Sequence, residues 1–119
     1  MIHLDYRDTR PIYTQIVEGF RQQILSQVLL PGEKLPSVRE LAAEAGVNPN
    51  TMQRALAHLE EQGLVITNRT AGRQVTQDGE RVAAIRMELA QKQIEAYLQG
   101  MEFLGFSDGE ARALLIRKE

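Results

Sequence analysis

At 119 residues, 43% hydrophobic and 25% charged, the chain has the size and composition of one small folded domain with an appendage, and neither disorder nor a catalytic lobe is needed to explain it. Its formal net charge of −2 argues against a nonspecific basic coat. The absence of cysteine excludes disulfides and thiolate metal sites, the lone His3 and His58 lie far apart, and no apolar run approaches the roughly 20 residues that span a bilayer, so a cytoplasmic protein without metal or cofactor is expected.

Residues 1–10 read as an extended lead, and Pro11 opens a first helix over about 11–29. Ile12, Ile16, Val17, Phe20, Ile24 and Val28 recur at three- and four-residue steps, which buries one stripe and makes this helix scaffold. Pro31-Gly32 then breaks it. Ser37 followed by Glu40 is a capping box, so a short helix is predicted with Val38, Leu41, Ala42 and Ala45 on one face and Gly46 as its left-handed stop. Asn48 supplies a second N-cap and Pro49 the first helical position of another helix, about 49–62. Its apolar face is Met52, Ala55, Leu56 and Leu59, leaving Asn50, Gln53, Arg54, Ala57 and His58 turned outward. Amides, a guanidinium and small residues suit a surface that reads base edges in a DNA groove.

After Gly63 the period changes from helix to strand. Leu64, Ile66 and Asn68 alternate with Val65 and Thr67, Thr70-Ala71-Gly72 supplies a turn, and Arg73–Thr76 returns. Two strands after such a helix make the wing of a winged helix. From Asp78-Gly79 a long amphipathic helix runs to about Phe103, its stripe formed by Val82, Ile85 and Leu89, then Ile94, Tyr97, Leu98 and Met101. Gly105 ends it, and Ser107 with Glu110 caps a last short helix carrying Ala111, Leu114 and Leu115. The fold class is therefore mainly α with a small β-hairpin: a winged helix-turn-helix over 1–77 and a two-helix tail over 78–119. The long stripe exceeds what one short helix can cover, so Leu89, Ile94, Tyr97, Leu98 and Met101 are expected to pair two copies of the chain.

Three segments, PGEKLPSVRELA, GVNPNT and LEEQGLV, resemble the DNA-binding half of GntR-family bacterial repressors. The lead RPIYTQI and the short tail extend the resemblance to the YtrA subfamily, whose members add only a small helical tail to the winged helix. It implies a homodimeric transcriptional regulator on a double-stranded DNA operator. The candidate DNA contacts in this sequence are Lys34, Ser37, Arg39, Asn48, Asn50, Thr51, Gln53, Arg54, Gly72 and Arg73. Arg39 corresponds to a family arginine that approaches DNA, at a phosphate or a guanine edge. Pro49 stands where the fatty-acid-responsive branch places a base-contacting arginine, so that readout does not carry over, and Arg54 is the nearest replacement. The wing RTAGRQVT departs from the family's glycine-rich basic turn. Arg73 there is either a groove or phosphate contact or an ordinary exposed charge.

Charge is distributed in favour of this reading. Residues 1–77 hold eight Lys/Arg against eight acids, and residues 78–119 six against eight. The acids Glu18, Glu44, Glu60 and Glu61 are expected mostly off the contact surface. Glu60 and Glu61 point about 100° apart on a helix and cannot flank a substrate, so no enzyme is expected. His58 takes no ligand role. The competing class is a winged helix that serves as a protein docking module without specific DNA binding. A small-molecule effector, if one exists, has room only between the paired tail helices or at the hinge to the wing.

Overall fold

The computed structural model describes residues 4, 9–70 and 72–116. Most of the lead, with His3, and Ala71 of the predicted turn lie outside the described residues. Among the described residues five helices and one hairpin follow in order: α1 Ile12–Leu25, α2 Val38–Ala45, α3 Pro49–Glu61, β1 Val65–Asn68, β2 Gly72–Val75, α4 Gly79–Phe103 and α5 Asp108–Ile116. The chain divides into two compact units, Met1–Ala83 and Ala84–Glu119, the division falling within α4.

In the first unit α3 packs against both α1 and α2. Ile16, Val17, Phe20 and Ile24 of α1 meet a core that includes Met52, Ala55, Leu56 and Leu59 of α3, all at most 4% exposed. Each large apolar side chain so buried stabilises the domain by about 1.5–3 kcal/mol before entropic costs. The capping box of α2 is formed: Ser37 Oγ accepts from the Glu40 N–H at 3.1 Å, and Glu40 Oε1 accepts from the Ser37 N–H at 3.4 Å. Gly46 sits at φ 71°, and its N–H turns back to the last carbonyls of α2. Only a residue without Cβ adopts that conformation cheaply. Asn48 Oδ1 accepts from the Asn50 N–H at 2.7 Å, and α3 starts at Pro49.

α1 is shorter than the predicted 11–29. It ends at Leu25 because Gln27 takes a left-handed φ of 63°, after which the Leu29 N–H bonds the Gln23 carbonyl. That closure buries Leu29 and turns Val28 outward, 66% exposed, so Val28 does not belong to the buried stripe. Its helical spacing fails because the helix has already stopped.

The hairpin pairs Val65 with Val75 and Asn68 with Gly72. Leu64 and Val65 are both buried while Ile66, Thr67 and Asn68 are all exposed, so the predicted alternation does not appear along β1. Leu64 is still closing α3, its N–H bonded to the Leu59 carbonyl. Asn68 Oδ1 accepts from both the N–H and the hydroxyl of Thr70, which shapes the turn. The far edge of β2 is covered by residues 32–35: the Val75 N–H bonds the Glu33 carbonyl at 2.8 Å and the Leu35 N–H bonds the Arg73 carbonyl at 2.9 Å. Sequence reasoning saw only a turn there.

In the second unit α4 and α5 form a helical hairpin. The Tyr97 hydroxyl donates to the Ala111 carbonyl at 2.6 Å, Ala111 is buried, and Gly105 breaks the chain between the helices. Ser107 and Glu110 form the predicted second capping box, at 3.0 and 3.1 Å.

Candidate nucleic-acid interface

α2, the tight turn at Gly46 and α3 bring the sequence-selected polar residues onto neighbouring surfaces of the first unit. Arg39 is exposed at the second position of α2, and Asn50, Gln53 and Arg54 are exposed along the first two turns of α3, with Thr51 half-buried between them. Asn48 and Ser37 act first as helix caps, their side-chain oxygens already accepting from the backbone. Around them the N-terminal N–H groups of α2 and α3 lend positive potential to this side of the domain. Lys34 and Ser37 line an open cleft of about 720 Å³ with Thr67, Thr70, Gly72 and Arg73, so the start of α2 and the wing bound one groove. Among the described residues Glu40 is its one acidic wall residue. Among the described residues nothing lies within 4 Å of where a Cβ on Gly72 would stand.

Three features of this surface were missed in the sequence. Arg73 is tied back: its Nε lies 2.5 Å from Glu60 Oε1, and its side chain is only 18% exposed. Glu60 therefore belongs to the wing's support rather than to a remote acidic face. His58 is not an outward surface residue but half-buried, its Nδ1 3.2 Å from the Tyr13 hydroxyl. The Arg54 guanidinium sits 4.8 Å above the centre of the same Tyr13 ring. α1 is thus more than scaffold, since it supplies the aromatic surface beneath an arginine of α3. Helical spacing showed which residues leave the apolar face of α3 but not that α1 lies beside them.

A helix-turn-helix with an exposed polar second helix, followed by a hairpin that shares a groove with the first, defines a winged-helix DNA-binding protein. The GntR family of bacterial regulatory proteins matches residues 12–75, and the chain belongs to that family. It is 36% identical over 108 residues to the transcriptional repressor YtrA of Bacillus subtilis, covering 86% of this chain and 83% of YtrA. It superimposes on a GntR-family regulator from Listeria monocytogenes with a TM-score of 0.85 at 36% identity, over 98% of this chain and all of that one. The DNA-binding domain of AraR, solved in complex with an operator, shares 29% identity at a TM-score of 0.54, over 64% of this chain and 93% of that domain. The protein is accordingly a DNA-binding transcriptional regulator of helix-turn-helix type. Among the described residues no helix is long and apolar enough to cross a membrane.

Proposed function

We propose that this protein is a cytoplasmic transcriptional repressor that binds a palindromic operator as a homodimer. Residues 1–77 bind DNA and residues 78–119 pair the two copies. α3 enters the major groove with Asn50, Thr51, Gln53 and Arg54 toward the bases. Lys34, Ser37, Arg39 and Asn48 approach from the start of each helix, and Gly72 and Arg73 bring the wing to the minor groove or the backbone. YtrA, a repressor, and the AraR domain on its operator support this reading.

The observation that carries it is the tail's exposed apolar surface. Ile94 is 52% exposed, Phe103 89%, Leu104 73% and Ile116 82%. A small protein rarely leaves such a set in water, and a two-fold axis lets each copy cover the other. Leu89, Tyr97, Leu98 and Met101 are half-buried within one chain, so the surface left for pairing lies more on Phe103, Leu104 and the end of α5 than the stripe alone suggested.

Sedimentation at micromolar concentration, with duplexes carrying one or two half-sites a helical turn apart, tests the proposal. The expected result is a dimer that binds two half-sites about 34–36 Å apart far more tightly than one. Phe103→Glu, which places an unpaired charge on the exposed surface left for pairing, is expected to give a folded monomer that binds weakly. A monomer that binds both duplexes equally would contradict it.

A further inference from the structure

We infer that Tyr13 of α1 is a specificity-positioning residue for Arg54 on the recognition helix. This rests on the DNA-reading role proposed for α3. Tyr13 touches α3 twice, at residues one helical turn apart: its ring lies 4.8 Å beneath the Arg54 guanidinium, and its hydroxyl lies 3.2 Å from His58 Nδ1. The rings of Tyr13 and His58 meet edge to face, 6.0 Å between centroids and 85° apart in plane. The second contact fixes the orientation of the ring, and the fixed ring restricts the guanidinium. An exposed arginine normally surrenders much rotamer freedom when it docks on a base or phosphate. Held over the Tyr13 ring, the Arg54 guanidinium is confined to one side of the helix face, and its N–H groups remain available for the planar two-point contact that guanidinium makes. Tyr13 thus reduces the ordering cost of the contact without touching DNA itself.

The test compares wild type, Tyr13→Leu, Tyr13→Phe, Arg54→Ala and the Tyr13→Leu/Arg54→Ala double variant by selection from a randomised duplex library and by titration against the selected sequence. Tyr13→Leu is expected to weaken binding about two- to fivefold, the size of an exposed cation–π contact. It is also expected to relax preference at the same base positions as Arg54→Ala. Tyr13→Phe, which keeps the ring, restores most of the binding, and the double variant binds like Arg54→Ala alone. In the free wild-type protein the Arg54 side-chain protons show an upfield ring-current shift by NMR. That readout needs neither DNA nor a variant that folds.

Additive effects of Tyr13→Leu and Arg54→Ala, or Arg54 protons at random-coil positions in the wild type, overturn the role of Tyr13. Wild-type protein that selects no sequence overturns the DNA-reading assignment on which it rests.

Discussion

Glu60, in the last turn of α3, holds Arg73 of β2 with a carboxylate oxygen 2.5 Å from the guanidinium Nε. The pair joins α3 to the wing across the hairpin, and at 18% and 30% side-chain exposure it is screened less than an ordinary surface pair. The wing residue proposed to meet phosphate is therefore held by a carboxylate of its own domain, and the proposed contact competes with this pair. Glu60→Gln should release the guanidinium. The expected outcome is tighter binding to DNA, with the slope of log affinity against log salt steeper by about one phosphate contact. Thermal stability should fall slightly, by about 1 kcal/mol or less. Salt titrations of the two proteins on one duplex check this, and an unchanged slope would show that Arg73 stays on the domain.

Gly46 is the pivot between α2 and α3. Its φ of 71° gives any Cβ a steric penalty, so Gly46→Ala should destabilise the domain by about 1–2 kcal/mol. Urea unfolding measures it. Loss of the Ser37 cap through Ser37→Ala should cost about 0.5–2 kcal/mol by a separate route, the loss of an acceptor for the Glu40 N–H.

These two positions were readable because their causes are local. A serine with glutamate three residues on, a glycine after an apolar face and Asn-Pro before another state their geometry within one turn of chain. The end of α1 was not readable, because Gln27 adopts a left-handed conformation that sequence reserves for glycine or asparagine. The strand-like run at 32–35 forms only against β2, some forty residues later, and carries no periodicity of its own. In the candidate site, side-chain type and helix face placed Asn50, Gln53 and Arg54 on the exposed side of α3, and the position beside a capped helix end singled out Arg39, which is exposed as well. The partners that hold Arg54 and Arg73 lie on other elements, and spacing along one helix contains no information about them.

Arg39 projects from the first turn of α2 without burial. Arg39→Ala is expected to weaken binding to the selected duplex by about 1–3 kcal/mol, with relaxed preference at one position in each half-site. Fluorescence anisotropy against singly substituted duplexes measures both effects. Unchanged affinity in a folded variant would remove Arg39 from the interface.

The Glu110 carboxyl is held below its ordinary value, chiefly by the hydrogen bond from the Ser107 N–H and then by the Ser107 hydroxyl. Because the folded value is the lower one, this contribution to the cap of α5 is complete above the ordinary glutamate range. It is lost as pH falls through the depressed folded value. A carboxyl carbon titration by NMR should place Glu110 below the same residue in an unstructured peptide, with amides at the start of α5 losing protection on acidification. Equal titration in the two would mean that the box contributes nothing.

The salt dependence of DNA binding tests the assignment of this surface most directly. Phosphate contacts release counterions, so affinity for a selected two-half-site duplex should fall linearly in a log–log plot, with a slope of roughly −0.9 per phosphate contact. A scrambled duplex should bind far more weakly at every salt concentration. Weak binding that ignores both salt and sequence would contradict the winged helix as a reader of DNA.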